Sequence, residues 1–198
     1  YFLKFENRDG LLEDLEGWVF VEWSKANELV QDVSFPSNMM YAALKSILGL
    51  LYDDAALVEQ ARKLRETIVD MSMTPSGFFC DNAVRADGKL VLTGERTEVC
   101  QYYAFWTKCA TPETHPELWE RLLNDFGRVR EASGKYPEIY PANAFVGNYM
   151  RLELLLNYGH TDKLTEDIKA FFLGMSDMTG SLWEHMSTCA SCSHGFAA

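Results

Sequence analysis

Residues 38–71 read NMMYAALKSILGLL, then YDD, then AALVEQARKLRETIVDM. In the first run Met40, Leu44, Ile47 and Leu51 recur at the three- and four-residue spacing of one helix face, and Leu57, Ala61, Leu64, Ile68 and Met71 repeat it in the second. Only Tyr52-Asp53-Asp54 separates the two runs, so the reading is an antiparallel αα-hairpin. The arrangement recurs twice downstream. Val99, Tyr103, Trp106 and Ala110 mark a third helix, joined across Thr111 to His115 to a fourth with Trp119, Leu122, Leu123 and Phe126. Phe145, Tyr149, Leu152 and Leu156 mark a fifth, joined across Asn157 to Asp162 to a sixth with Leu164, Ile168, Phe171 and Met175.

The remaining connections are long: Glu6 to Pro36, Met73 to Arg96, Gly127 to Asn143 and Asp177 to His194. Consecutive helices alternate in direction, so the short turns fall at one end of the assembly and all four long connections at the other. Long loops gathered on one end of a rigid scaffold are where functional sites are built. The second of them contains the one clear strand signal, a hairpin from Phe78 to Val84 and Lys89 to Thr93 reversing through Ala86-Asp87-Gly88. The expected fold class is therefore all-α, made of αα-hairpins with a small β-hairpin in one long loop.

With 198 residues, 47% hydrophobic and 13% aromatic, the chain can bury one substantial core, and residues 1–198 are read as one domain. It begins at Tyr1 rather than Met and stops where a new apolar segment begins, so a piece of a larger protein, packed against other domains of the same polypeptide, is expected. Eighteen basic against 29 acidic residues give a net charge of −11, which argues against nucleic acid or an anionic membrane as partner. No apolar run reaches the length of a membrane span. The five cysteines lack zinc-site spacing, and Cys189-Ala190-Ser191-Cys192 has no βαβ context, so they are read as ordinary small residues. No His or carboxylate pair has metal-ligand spacing on a helix, no nucleophile elbow is present, and neither a metal nor a cofactor is expected.

What remains is carboxylates beside aromatic rings in the long loops. Glu184 lies between Trp183 and His185 and is the first candidate for a general acid or base, because an indole stacks on the apolar face of a sugar while Glu and His handle protons. Glu22-Trp23 repeats the pairing, against the plainer reading of Trp18 to Val21 as a short alternating strand with Glu22 exposed. Thr97 reads as a helix cap, with Glu98 a candidate ligand pointing into the mouth. Asp81-Asn82 either binds hydroxyl groups or satisfies a turn. His194, before Gly195, is a hydroxyl donor or a helix-start residue.

Four stretches, Gly17 to Ser24, Arg96 to Ala104, Pro141 to Tyr149 and Gly180 to Gly195, together resemble the catalytic domain of bacterial α-L-rhamnosidases of glycoside hydrolase family 78. The resemblance covers nearly the whole chain in the right order. It implies about half of an (α/α)6 barrel of six hairpins and inverting hydrolysis of terminal α-L-rhamnosides, with a rhamnose-containing oligosaccharide or glycoside as partner. It places the general base on Glu184, lines the rhamnose subsite with Trp183, His194, Glu22 and Trp23, and leaves the general acid upstream of Tyr1. A periplasmic or secreted location is favoured over a cytoplasmic one. Ser193 stands where the family pattern has Asn. Two other readings stay open: a barrel of this type that binds glycan or packs against domains without hydrolysing, and a different (α/α)6 carbohydrate enzyme.

Overall fold

A computed structural model describes residues 1–128, 130–143, 145–185 and 190–192, and the three hairpins are present in it. Helices α1 (Phe35–Leu51) and α2 (Ala55–Ser72) form the first, α3 (Glu98–Trp106) and α4 (Pro116–Asn124) the second; after a single turn, α5 (Arg130–Ser133), α6 (Phe145–Asn157) and α7 (Thr161–Thr179) form the third. The first turn shows why three residues suffice. Tyr52 closes α1 with its N–H on the Leu48 carbonyl. Asp53 then takes a left-handed φ of 53°, a conformation that a short polar side chain tolerates. The Asp54 carboxylate accepts from Ala56 N and Leu57 N at 2.9 and 3.1 Å, starting α2.

Helix α1 packs on α2 and α3, α3 on α6, and α6 on α7; Phe105 and Trp119, with ring centroids 5.2 Å apart, join α3 to α4. The row α1, α3, α6 is thus the inner layer, and α3 is buried from Glu98 through Phe105. A three-stranded antiparallel sheet, β1 (Val33–Ser34), β2 (Asn82–Ala86) and β3 (Lys89–Leu92), joins the first two long loops. Its hairpin turns at Asp87 and Gly88, both at positive φ, between the paired Ala86 and Lys89. The strand begins later than the sequence pattern suggests. Phe79 and Cys80 instead dock on the helices, with their N–H groups donating to Gln101 Oε1 at 2.8 Å and to the Ser72 carbonyl at 2.8 Å.

The expected division of the two ends holds. At one end the short turns meet, Trp119 packing on Tyr158 at 4.7 Å between ring centroids and Lys108 reaching the Tyr158 hydroxyl at 3.2 Å. At the other the long loops bond to one another, Asn82 to Gln31, Thr97 to Tyr140, and Trp23 to Glu184. Among the described residues no helix is long and apolar enough to cross a membrane.

Two helix faces differ from the sequence reading. Met40, Leu44, Ile47 and Leu51 of α1 are 37–70% exposed, while Met39, Ala42, Lys45 and Gly49 turn inward. The polar member is buried because Lys45 Nζ lies 2.6 Å from a Glu6 carboxylate oxygen. The small members let α2 approach closely. On α6, Tyr149 and Leu156 are exposed, whereas Asn148 and Arg151 are buried, the latter paired to Asp167 at 2.6 Å and donating to the Leu122 carbonyl. Hydrophobic spacing cannot see a charge buried with its partner. In the other helices the expected residues Ala61, Leu64, Ile68, Val99, Tyr103, Trp119, Leu122, Phe171 and Met175 are buried, and Ile168 is exposed.

The close approach of α1 and α2 gives a direct test. A Cβ at Gly49 would lie 2.7 Å from Val58 Cγ2, 2.9 Å from Val58 N and 3.0 Å from the Asp54 carbonyl oxygen. Backbone atoms cannot swing aside, so Gly49→Ala should cost about 1–3 kcal/mol despite the better helix propensity of alanine. Urea unfolding would read this as a lowered midpoint, and a midpoint raised by the substitution would refute the packing.

Candidate functional site

The first long loop turns from exposed to buried and back through its key stretch, without forming a strand. Val21 is buried in the core, Glu22 is 1% exposed, and Trp23 turns outward. Val21 N donates to Asn27 Oδ1 at 3.1 Å and Ser24 Oγ accepts from Ala26 N, so a short helical turn after Trp23 fixes the stretch before it.

Glu22 reaches the start of α6. Its Oε1 accepts from Asn143 N at 2.7 Å and Gly147 N at 3.3 Å, a carboxylate set against a helix N-terminus. Gly147 makes room for it, since a Cβ there would lie 2.9 Å from that oxygen and 2.8 Å from the Ala142 Cβ. The second oxygen, Oε2, is buried and has no hydrogen-bond partner among the described residues. Burial pushes the Glu22 carboxyl up to about 7 and the nearby Glu98 charge adds to this, against the bonds from Ser24, Asn143 and Gly147. In this structure the Glu22 carboxyl is buried and ties the first loop to the third.

Trp23 carries the contact with the fourth loop. Its carbonyl accepts from Asn143 Nδ2 at 2.7 Å, and its indole Nε1–H donates to Glu184 Oε1 at 2.9 Å. The two Trp-Glu pairs, 161 positions apart, thus interlock, the indole of the first holding the carboxylate of the second. The His185 ring stands 6.0 Å from Trp23. Trp18 and Phe20 complete an aromatic group around Trp23, with centroids 5.0–5.7 Å apart, and Trp18 is 70% exposed. From this group a groove of about 490 Å³ runs along α1, lined by Leu15, Val19, Phe20, Met40 and Leu44 among others.

Trp183 anchors its loop. Its Nε1–H donates to Thr179 Oγ1 at 2.8 Å, its backbone pairs with Cys192, and its ring packs against Phe145, Phe171 and Met175. Glu184 N donates to the Ser191 carbonyl at 2.9 Å. His194 lies outside the described residues. Thr97 caps α3 as expected, accepting from Cys100 N at 3.1 Å. Glu98 does not face a sugar-sized space. It accepts from Arg130 Nε at 2.6 Å, Ala142 N at 2.9 Å and Gly127 N at 3.3 Å, beside a cavity of about 20 Å³ that holds no more than a water or two. Asn82 is likewise inside, its Oδ1 accepting from Thr93 Oγ1 at 2.7 Å and its Nδ2 donating to Gln31. Asp81 receives Thr97 N at 2.6 Å and the Thr97 hydroxyl at 2.8 Å. Both expected ligands, Glu98 and Asn82, are in this arrangement braces between loops.

Trp18, Phe20 and Asn143 are not among the site residues expected from the sequence. The aromatic pair reads as one face of a strand, and the signals for Asn143 are its place in the Pro141 to Tyr149 stretch and just before a helix at the end of a long connection, where a side-chain amide often serves the backbone.

No family model matches the chain, and no curated protein matches it. Solved structures do. A GH78 family rhamnosidase of Bacillus sp. GL1 aligns with a TM-score of 0.72 at 18% identity, over 93% of this chain and 19% of that one. A rhamnosidase from Klebsiella oxytoca with rhamnose bound aligns with a TM-score of 0.63 at 15% identity, over 94% of this chain and 33% of that one. The fold is shared with rhamnosidases. At these identities the likeness is one of fold, and the chain spans about a fifth of the Bacillus rhamnosidase and a third of the Klebsiella one.

The buried Glu22 makes stability depend on pH. Its folded pKa, about 7, stands above the ordinary 4.5. A carboxyl that holds its proton more tightly when folded contributes stability fully present below about pH 4.5 and lost as pH rises through about 7. The loss amounts to about 3 kcal/mol for Glu22; Asp81, pushed by burial to about 7, titrates in the same window. Urea midpoints from pH 4.5 to 8 should fall more steeply for the wild type than for Glu22→Gln. Parallel curves would refute the buried, proton-holding state of Glu22.

Proposed function

We propose that this chain belongs to a glycoside hydrolase that removes terminal α-L-rhamnose with inversion, and that Glu184 is its general base. The observation that carries the reading is the 2.9 Å bond from the Trp23 indole to Glu184, which sets a carboxylate and an aromatic face side by side at the loop-bearing end of the helices. Rhamnosidases of the same fold supply the substrate class.

In such a reaction Glu184 draws a proton from water, the water oxygen bonds to the anomeric carbon from the face opposite the aglycone, and a second carboxylic acid gives its proton to the departing oxygen. Trp23 and Trp18 offer flat apolar faces for the ring, with His185 at the edge, and His194 remains assigned to the rhamnose subsite. Glu22 is not assigned as the acid, although burial pushes its carboxyl up to about 7, because that carboxyl is sealed against α6. The acid is assigned to residues outside this chain, which would also cover the exposed apolar face of α1 as other parts of the same polypeptide.

Replacing Glu184 by Gln should lower kcat for an aryl α-L-rhamnoside by about 100- to 10,000-fold. NMR of the wild-type reaction should show the β-anomer of rhamnose first. Unchanged hydrolysis by the variant would remove Glu184 from the role, first release of the α-anomer would exclude inversion, and rhamnoside binding without any hydrolysis would favour a glycan-binding module.

A further inference from the structure

Resting on the reading of Glu184 as base, we infer that Asn143 is a positioning residue that sets this carboxylate through Trp23. Asn143 grips residues 22 and 23 at two points: its backbone N–H donates to Glu22 Oε1 and its side-chain Nδ2 to the Trp23 carbonyl, each at 2.7 Å. The Glu22 side chain and the Trp23 backbone are thereby both tied to the start of α6, which fixes the point from which the Trp23 side chain extends. That side chain then donates its indole N–H to Glu184 Oε1 at 2.9 Å. The path is a continuous line of hydrogen bonds from the third long loop, through the first, to the fourth.

The need for such a support follows from where the groups lie. Trp23 is 40% exposed, so packing alone does not confine its ring. Its ring neighbours Trp18 and Phe20 belong to the same loop. Asn143, at the mouth of α6, ties that loop to the inner layer of helices. An indole N–H that bonds to a carboxylate oxygen also fixes which lone pairs of that carboxylate stay free for another donor. Displacing a base by as little as about 1 Å can cost about a hundredfold in rate.

The test uses the intact protein with 15N in its tryptophans. The Trp23 indole resonance is the one lost in Trp23→Phe, and it should move when Glu184 is changed to Gln. Asn143→Ala and the isosteric Asn143→Asp, which removes the amide donor without emptying the space, should each shift this resonance and abolish its response to Glu184→Gln. Hydrolysis of an aryl rhamnoside should fall about ten- to a hundredfold in kcat in both variants, while the thermal midpoint of Asn143→Asp stays near that of the wild type. An indole resonance and a Glu184→Gln response that are unchanged in both Asn143 variants would overturn the inference. If instead the Asn143 variants move the resonance but Glu184→Gln hydrolyses normally, the positioning of the carboxylate stands and its assignment as base falls.

Discussion

The buried pair of Glu98 and Arg130 is the constraint on which the loop-bearing end depends. Arg130 Nε meets Glu98 at 2.6 Å, and its two terminal nitrogens donate to the carbonyls of Lys135, Tyr136 and Ile139. Glu98 in turn accepts from the N–H groups of Gly127 and Ala142. One ion pair therefore gathers both ends and the middle of the third long loop. That loop delivers Asn143, which seats Glu22 and Trp23, and Trp23 holds Glu184. The candidate base sits at the far end of a chain of contacts that starts in the first turn of α3.

A charged pair suits this place better than an apolar one. A loop of this length with only one helical turn carries many backbone N–H and C=O groups with no ladder to join, and each one buried unmet is costly. The five donors of a guanidinium and the four lone pairs of a carboxylate can meet such groups at scattered positions, which no hydrocarbon side chain can do. Burial penalises the Glu98 charge and raises its pKa, and the Arg130 guanidinium offsets part of this. Losing one partner of such a pair costs about 3–5 kcal/mol, and here the loop path would be lost with it.

How much of this could be read in the sequence depended on the range of the interaction. The hairpins were legible because their causes are local: Asp53 accepts a left-handed turn, Asp54 and Thr97 cap, and Asp87-Gly88 reverses a strand pair. The inward faces of α1 and α6 were not, because Lys45 is buried by Glu6 and Arg151 by Asp167, partners that no periodicity reveals. In the site, Trp23 and Glu184 could be picked out as types of residue. Their meeting across 161 positions, and the clamp that Asn143 places on residues 22 and 23, are properties of the folded chain alone.

The sharpest lesson lies in the two glutamates beside tryptophans. By composition Glu22-Trp23 and Trp183-Glu184 are the same device, a carboxylate next to an indole. The fold separates them by exchanging the parts. In the first pair the carboxylate goes inward, where burial makes it hold its proton and the start of α6 takes one of its oxygens, while the indole goes outward. In the second the indole goes inward against Phe171 and Met175, while the carboxylate is presented at the loop end. The outward indole of one then meets the outward carboxylate of the other. Each pair gives one member to anchoring and one to the loop-end surface, so environment rather than residue type decides which glutamate carboxylate is presented there.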